Sequence, residues 1–401
     1  MSDWFRLALC WGIASWSALA WGQTPGPVLN SIFPAGGSPG TRLTIRVDGS
    51  QLEDLRALWC SDPRWQSGSV QDGRGEITIP ADAEPGVYDV RVVGKFGISG
   101  PRAFLVTRGP DQVDTEPNDD REQAQFLGTE AAVNGRFDKP GDVDCFAFSA
   151  RARERLHIEL WSNRLDAPTH GVLEVFDASL RRLAVNRGDA GIDPGIDFVA
   201  PSDGRYIVRL FDQTYAGGND YVYRLLVGTR PHVAYVMPTV AQVGQPLQAT
   251  VVGLNLTRGD GRADADQVSE GRPPASRSVV GRGWESLRVD VTPTADGGAL
   301  RLPRLAHEFG TQPFALRVPG VDLPCALGLT DVPVYDDGDE NHLLEHAVAL
   351  EVPAEVSGQL TEGDEHDWYA LRGSQGEVWW LEAFGDRLGA PIDLDLVLTD
   401  E

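Results

Sequence analysis

The sequence repeats itself at long range, and this repeat constrains the fold more than any other feature. When residues 116–177 are shifted forward by 223 positions, they fall on residues 339–400 with few interruptions. The identical pairs include Asn118 and Asn341, Ala124 and Ala347, Gly135 and Gly358, Asp144 and Asp367, Ala147 and Ala370, and Glu159 and Glu382. A shorter repeat with an offset of 204 relates residues 34–52 to residues 238–256. Together the two repeats predict four modules in the order A-B-A′-B′.

Length and charge narrow the class of protein. The chain has 401 residues, which is too long for a single hydrophobic core. Its 59 acidic and 35 basic residues give a formal net charge of −24. Because nucleic-acid phosphates need neutralisation by Lys and Arg, this charge argues against a nucleic-acid partner. The same charge suits divalent cations, or simply solubility outside the cell.

Residues 1–22 have the pattern of a secretory signal peptide. Arg6 precedes an apolar run over residues 7–20, which ends in the small-x-small cleavage pattern Ala18-Leu19-Ala20. Cleavage after Ala20 and cleavage after Gly22 both fit. A run of about 14 residues is too short to span a bilayer, and the sequence contains no later segment that predicts a membrane helix. We expect the protein to be secreted, periplasmic or attached to the cell surface.

Period-two alternation of apolar and polar residues predicts an all-β fold. It recurs in short runs such as 43–47, 88–92, 156–160 and 206–210, which are bounded by Gly, Pro, Asp and Asn. Strands with one wet face and frequent turns are typical of antiparallel sandwiches. We therefore predict tandem antiparallel β-sandwiches, with His157 on the wet face of its strand.

The first module (residues 27–107) and the third module (residues 231–331) open with the same pattern. The matching residues are Leu29, Ile32, Pro34, Gly40 and Gly49 in the first module, and Val233, Val236, Pro238, Gly244 and Gly253 in the third. This pattern resembles the IPT/TIG family, and the resemblance implies immunoglobulin-like β-sandwiches. The third module also carries a Gly/Asp/Arg-rich insertion at residues 258–283, which predicts a mobile surface loop.

The second module (residues 111–229) has four characteristic phrases. They are Glu116-Pro117-Asn118-Asp119-Asp120, Val133-Asn134-Gly135, Gly141-Asp142-Val143-Asp144-Cys145-Phe146-Ala147-Phe148, and Pro201-Ser202-Asp203-Gly204-Arg205-Tyr206-Ile207-Val208. These phrases resemble the bacterial pre-peptidase C-terminal (PPC) family. The resemblance implies a small jelly-roll-like sandwich of the kind appended to secreted peptidases and other extracellular enzymes.

The fourth module (residues 336–401) matches the second only as far as Asp400. It has no counterpart of residues 201–227, and a sandwich without those strands would leave an unpaired edge and an exposed half-core. We expect this last module to be incomplete, as the N-terminal part of a second PPC domain. The chain is then a fragment, or the start of a longer protein.

Acidic side chains in the two PPC-like modules are candidate calcium ligands. Ca²⁺ takes six to eight oxygen ligands, several of them carboxylates. The resemblance to calcium-binding members of the family implies ligation by Glu116, Asn118, Asp119, Asp142 and Asp144 in the second module, and by Asp339, Asn341, Asp364 and Asp367 in the fourth. The alternative is that these Asn and Asp residues only cap turns.

A second motif would point to zinc. The run His342-Leu343-Leu344-Glu345-His346 matches the inverted zinc-peptidase motif H-x-x-E-H, in which two His on one helix face hold Zn²⁺. The corresponding residues of the second module keep only the Glu, as Glu122. The cysteines after the leader also lack metal-site spacing. We therefore expect no zinc, and a zinc hydrolase using His342 and His346 is a remote alternative.

These observations predict a modular, non-catalytic region of a secreted or cell-surface protein. It would be a string of semi-rigid modules for adhesion, binding or spacing, with Ca²⁺ as candidate cofactor and an extracellular polymer or protein as partner. The sequence contains no nucleophile elbow, P-loop or dinucleotide fingerprint. The alternative is the non-catalytic N-terminal portion of an extracellular hydrolase, most plausibly a peptidase, whose catalytic domain is absent from this chain. The oligomeric state stays open.

Overall fold

The structure is a computed structural model. It describes residues 26–128, 130–188, 193–256, 269–271, 278–280, 284–295, 300–301, 313–338, 340–360, 365–385 and 394–400. Within these ranges the regular structure is β-strand with a few short 3₁₀ helices, and no α-helix occurs among these residues. The predicted all-β fold of tandem sandwiches is therefore confirmed. The predicted signal peptide lies outside the described residues.

The first module is formed by two sheets around one core. Its strands are β1 (Val28–Phe33), β2 (Gly36–Gly37), β3 (Arg42–Ser50), β4 (Ala57–Cys60), β5 (Gln66–Ser67), β6 (Arg74–Thr78), β7 (Gly86–Gly94), β8 (Gly97–Ile98) and β9 (Arg102–Val106). The sheet orders are β1-β3-β6-β5 and β2-β9-β7-β4, with β8 paired to β7. Ile45 and Ile77 from one sheet pack in the same buried cluster as Val90 and Phe104 from the other.

The second module has the larger core. Its strands are β10 (Asp111–Val113), β11 (Gln125–Phe126), β12 (Ala131–Arg136), β13 (Asp144–Ala150), β14 (Arg155–Trp161), β15 (Gly171–Phe176), β16 (Arg182–Asn186), β17 (Gly195–Val199), β18 (Gly204–Asp212) and β19 (Val222–Gly228). One sheet has the order β10-β12-β19-β14-β17 and the other β11-β13-β18-β15-β16. Apolar residues from both sheets, including Ile158 and Val208, form the shared core. The alternating pattern of the sequence thus gives each sheet one inner face.

The third module repeats the two-sheet arrangement. Its strands are β20 (His232–Met237), β21 (Val240–Gln242), β22 (Leu247–Leu254), β23 (Ser269–Gly271), β24 (Ser278–Val280), β25 (Trp284–Val291), β26 (Phe314–Leu316) and β27 (Cys325–Thr330). The sheet orders are β20-β22-β25-β23 and β21-β27-β26.

The insertion at residues 258–283 is not loop throughout, which corrects the expectation of a mobile surface loop. Strand β23 pairs with β25 of its own module. Strand β24 instead pairs with β17 and adds a sixth strand to a sheet of the second module. The insertion therefore helps to join the two modules. Its remaining residues lie outside the described ranges.

The fourth module contributes two strand pairs. Its strands are β28 (Val334–Asp336), β29 (Val348–Leu350), β30 (Glu355–Ser357) and β31 (Tyr369–Leu371). Strand β28 pairs with β30, and β29 with β31. Large apolar side chains lie at the surface of this part of the chain, and Trp380 is 86% exposed.

Strand pairing repeats with the same offsets as the sequence. The parallel partners in the second and fourth modules are Asp111 with Ala132, Gln125 with Phe146, Val334 with Glu355, and Val348 with Tyr369. Each residue of the fourth module lies 223 positions after its counterpart. At the offset of 204, Gly49 and Gly253 occupy equivalent sites in which an added Cβ would lie 2.0 Å from the carbonyl oxygen of the paired strand. Close backbone approach therefore explains why glycine occurs in both copies.

The first three modules share buried contacts. An apolar cluster combines first-module residues Ala103 and Leu105 with second-module residues Trp161 and Val222. Arg224, two residues after Val222, is fully buried. Its guanidinium donates a hydrogen bond of 2.7 Å to Thr107 Oγ1 and pairs with Asp111.

The third module reaches both of its predecessors. The guanidinium of Arg301 binds both carboxylate oxygens of Asp166 at 2.7 Å, and Asp322 pairs with Arg108 and Arg230. The third module also covers part of the outer face of β14, where His232 at the start of β20 stacks on His157. His157, which the sequence predicts on a wet face, is therefore only 7% exposed. That prediction is wrong because the alternation of one strand does not reveal a neighbouring module.

Candidate metal centre

The acidic segment, residues 114–120, crosses from one sheet of the second module to the other. It follows β10 in the first sheet and leads toward β11 in the second. The backbone N–H of Cys145 donates to Asn118 O at 3.0 Å. This hydrogen bond holds the acidic segment against the beginning of β13, where Asp142 and Asp144 lie. The two acidic phrases of the sequence therefore meet.

Carboxylate oxygens from both phrases converge. Ligand atoms of Asp114, Glu116 and Asp144 lie within 4.8 Å of one another. A second group with the same spacing is formed by Glu116, Asp119 and Asp142, so Glu116 belongs to both. The four carboxylates predicted for the second module thus lie in one region, together with a fifth, Asp114.

Three buried oxygens at this centre have no hydrogen-bond partner. They are Oδ1 of Asn118, of Asp142 and of Asp144. The three residues are at most 1% exposed. Such groups are rare in folded proteins, because a buried polar atom without a partner costs about 1–3 kcal/mol. Asp142 and Asp144 belong to the two different ligand groups that share Glu116, and a hard cation at either group would give such an oxygen a partner. Carboxylate and amide oxygens are the donors that calcium takes.

The other atoms of the same groups are fixed by hydrogen bonds. Asn118 donates from Nδ2 to Asp114 Oδ1 at 2.6 Å, which leaves its Oδ1 as the available acceptor. The hydroxyl of Tyr223 donates to Asp144 Oδ2 at 2.6 Å, and the Asp138 N–H donates to Asp142 Oδ2 at 2.5 Å. Each carboxylate therefore keeps one oriented oxygen for a ligand.

Burial and mutual repulsion raise the pKa values of these carboxyl groups. Burial, with the neighbouring charge of Glu116, raises the pKa of Asp114 to about 7. Burial and the charge of Asp114 raise the pKa of Asp144 well above its usual range. The pKa values of Glu116 and Asp142 are raised chiefly by burial. The cluster therefore holds protons or a cation rather than several uncompensated charges.

Asp114 was missed by sequence reasoning, although a signal for it exists. The sequence repeat, taken as starting at Glu116, leaves Asp114 just outside the matched region. Extending the offset of 223 backward places Asp114, which is half-buried, opposite Asp337, which is buried. The occurrence of Asp at both positions, 114 and 337, therefore indicated a shared role for this residue.

The fourth module brings a related set of residues together. Trp368 N donates to Asn341 O at 2.9 Å, the equivalent of the Cys145–Asn118 hydrogen bond. Ligand atoms of His342, Glu365 and Asp367 lie within 4.8 Å of one another. Burial, together with Asp336 and Asp367, raises the pKa of Asp337 to about 6.

Two of the predicted ligands in this module, Asp339 and Asp364, lie outside the described residues. At the strict offset, Glu365 rather than Asp364 corresponds to Asp142, and His342 corresponds to Asp119. The module therefore has a nitrogen donor where the second module has a carboxylate. Asn341 is 1% exposed, like its counterpart Asn118.

The two histidines of the H-x-x-E-H motif have different surroundings. Residues Leu344–His346 form a single 3₁₀ turn, so the α-helical face that the motif requires is not formed there. His342 Nδ1 lies 3.2 Å from Asp367 Oδ1, while His346 Nδ1 contacts Glu340 O at 3.1 Å. Among the described residues, the metal-ligating group that includes His342 does not include His346.

Comparisons with known proteins give only distant likenesses. No family model matches the chain, and no curated protein matches it. The pre-peptidase C-terminal domain of collagenase from Bacillus anthracis is 16% identical over 28% of this chain and 99% of its own, with a TM-score of 0.23. The periplasmic lysozyme inhibitor PliG from Aeromonas hydrophila is 14% identical over 30% of this chain and 98% of its own, with a TM-score of 0.22.

A third likeness is to the secreted serine protease VesC from Vibrio cholerae, which is 10% identical over 50% of this chain and 49% of its own, with a TM-score of 0.19. In the described parts of the chain, no helix has the length and apolar character that crossing a membrane requires.

Proposed function

We propose that this chain is a calcium-stabilised, non-catalytic scaffold of a secreted or cell-surface protein, used for adhesion, binding or spacing. The observation that carries the proposal is the set of three buried oxygens without a hydrogen bond on Asn118, Asp142 and Asp144, of which only Asp142 Oδ1 has a nearby cation among the described residues, Lys139 Nζ at 3.7 Å. The sequence-level resemblance to PPC and IPT/TIG modules agrees with it. An extracellular polymer or protein is the partner that such a scaffold would display or contact.

Calcium would act at a mechanically sensitive place. The acidic segment connects β10 to β11, which belong to different sheets of the second module. Strand β10 also begins directly after the first module and includes Asp111, the partner of buried Arg224. An ion held by the acidic segment and by Asp144 would tie the two sheets together and stiffen the connection to the first module. The module would then transmit load or hold a fixed orientation.

The test is a thermal melt of the whole chain with calcium and with a calcium chelator. The whole chain is required because the neighbouring modules bury one face of the second module. Binding to the folded state stabilises it by about 2.7 kcal/mol at a hundredfold excess over Kd. We expect a clear rise in Tm with calcium, and a smaller rise in Asp144→Asn.

The matched variant is Asp367→Asn in the fourth module, which leaves the second-module site intact. Asp144→Asn and Asp367→Asn each remove one of two corresponding Asp residues. Comparing the two variants therefore shows which module binds the calcium. A melt of the parent chain that does not respond to calcium would overturn the proposal. Equal calcium responses in the parent and in Asp144→Asn would move the site away from the second module.

A further inference from the structure

A second group of potential ligands lies where the second and third modules meet. His157 and Glu159 project from β14 on the face opposite the core, because they alternate with the core residues of that strand. His232 begins β20 of the third module and stacks on His157, with ring centroids 3.6 Å apart and planes inclined by 13°. The group is thus assembled from two modules.

Ligand atoms of His157, Glu159 and His232 lie within 4.8 Å of one another. His157 Nε2 lies 3.4 Å from Glu159 Oε2, and it is buried without a hydrogen-bond partner. His157 and Glu159 are 7% and 2% exposed. A buried imidazole nitrogen that faces a carboxylate without a hydrogen bond needs a proton or a cation between the two atoms.

The other nitrogen of His157 is already engaged. Nδ1 lies 2.6 Å from Asp197 Oδ1, a contact in which Nδ1–H donates to the carboxylate. In the neutral ring, this contact selects the tautomer with its lone pair on Nε2. A carboxylate that orients a histidine in this way is the usual outer partner of a metal-bound imidazole.

The surrounding charge also favours a divalent cation. Three buried carboxylates, those of Glu159, Asp193 and Asp197, lie around this junction. A single guanidinium, from Arg164, pairs with Glu159 Oε1 and Asp193 Oδ2, each at 3.0 Å. Two negative charges remain when both histidines are neutral, and one divalent ion would neutralise them.

We propose that His157, Glu159 and His232 bind a divalent transition-metal ion, represented by zinc, at the junction of the second and third modules. Two imidazole nitrogens and one carboxylate suit zinc better than calcium, which takes oxygen ligands. Three protein ligands leave a fourth position for water. The ion would cross-link the two modules independently of the calcium centre.

Binding requires a small rearrangement. The two stacked rings do not direct their in-plane lone pairs at one point, so the ring of His232 must turn about its side-chain torsions. His232 is only partly buried and begins its strand, whereas His157 is held by Asp197. The proposal therefore assigns the movement to His232.

The test uses the chelator-treated whole chain in saturating calcium, so that the carboxylate centres are filled. Cobalt(II) replaces zinc as a probe, since its visible absorption reports tetrahedral nitrogen and oxygen coordination. His232→Phe keeps a ring to stack on His157 but removes the nitrogen ligand. We expect saturable cobalt binding that zinc displaces in the parent, and at least about tenfold weaker zinc binding in His232→Phe.

Two further variants make the assignment specific. Asp197→Asn should weaken zinc binding by about 10- to 100-fold, because it removes the group that orients His157. His342→Ala, which alters the only other histidine-containing ligand group found among the described residues, should leave it unchanged. Circular dichroism checks the fold of each variant, and His232→Gln serves if His232→Phe does not fold.

The proposal is overturned by any of three results. The first is a parent chain that binds neither cobalt nor zinc in saturating calcium. The second is unchanged zinc affinity in the folded His232 variant or in Asp197→Asn. The third is loss of binding in His342→Ala, which would place the ion in the fourth module. None of these results depends on whether the calcium centre exists.

Discussion

The hydroxyl of Tyr223 donates a 2.6 Å hydrogen bond to Asp144 Oδ2, and this contact turns Oδ1 of the same carboxylate toward the acidic segment. Tyr223 lies on β19 and Asp144 on β13, so the contact bridges the two sheets of the second module. Both residues are fully buried. The orientation of the Asp144 carboxylate in the candidate metal centre therefore depends on how Tyr223 packs in the core.

Gly135 makes this contact possible, and its substitution should disrupt it. A Cβ at position 135 would lie 2.1 Å from Tyr223 Cζ and 2.2 Å from its hydroxyl oxygen. We expect Gly135→Ala to displace the tyrosine and to lower the free energy of unfolding by about 1–3 kcal/mol, the usual cost of overpacking. Urea unfolding measures the loss, and calorimetry measures the accompanying fall in calcium affinity.

Gly204→Ala is the matched control for this prediction. No atom lies within 4 Å of a Cβ placed at position 204, and the residue is exposed in β18. The control should change the free energy of unfolding by less than about 0.5 kcal/mol. Equal effects of the two substitutions would contradict the role given to Gly135.

Asp114 should contribute to calcium binding as strongly as the ligands predicted from the sequence. Its carboxylate lies within 4.8 Å of those of Glu116 and Asp144, and calcium affinity depends on the number of charged ligands. We expect Asp114→Asn to weaken calcium binding by at least about tenfold, which corresponds to about 1.4 kcal/mol. Isothermal titration calorimetry of the whole chain checks this.

Asp120→Asn is the comparison for Asp114→Asn. Asp120 is an exposed acidic neighbour that belongs to neither of the ligand groups in the second module. The Asp120→Asn substitution removes one formal negative charge from the acidic segment, as Asp114→Asn does. If both variants weakened binding equally, the effect would be one of general charge rather than of ligation.

The resemblance to the PPC family implied most residues of this candidate centre, and the reasons for its omissions are physical. Alternating patterns and turn residues indicated the sandwiches, and the paired phrases located Glu116, Asn118, Asp142 and Asp144. These signals are local, because they depend on strand periodicity and on turns. Asp114 was omitted because it directly follows β10 and precedes the phrase that carries the resemblance.

The junction between modules could not be predicted in the same way. His157 alternates with core residues as a solvent-facing residue would, and it is buried because His232 of another module stacks on it. Strand β24 likewise pairs with β17 across about 80 positions of sequence, a separation that no local pattern encodes. Contacts between modules depend on their relative orientation, and period-two patterns contain no information about it.

Calcium affinity should rise with pH. Burial and the charge of Glu116 raise the pKa of Asp114 to about 7, from an ordinary value of 3.8. Between these values the folded, calcium-free protein holds a proton that the unfolded chain lacks, so its stability falls as pH rises through this window. Calcium must displace that proton. Binding should therefore strengthen from about pH 5.5 to about pH 7.5, by up to about tenfold per pH unit below the pKa.

Calorimetry at several pH values measures this dependence. Asp114→Asn should reduce the slope of the curve, because one of the carboxyl groups that hold displaced protons is gone and its charge no longer raises the pKa of Asp144. Equal calcium affinity of the parent chain at both ends of the range would contradict this pH dependence. Binding that is strongest at the acidic end would also contradict it.

Arg224 makes the strongest prediction about the contacts between modules. The guanidinium is fully buried, and it pairs with Asp111 and donates to Thr107 Oγ1 of the first module. Arg224→Ala leaves the Asp111 carboxylate, whose side chain is 18% exposed, without its cation. Breaking a fully buried pair costs about 3–5 kcal/mol, so we expect a loss of up to about 3 kcal/mol for this partly exposed one. Because the residues lie between two modules, we expect the first and second modules to lose stability together in urea unfolding.

Arg42→Ala is the control, since it breaks only the exposed pair with Glu76 and should cost less than about 1 kcal/mol. A loss confined to the second module would show that the modules fold independently, and the buried junction would then not couple them.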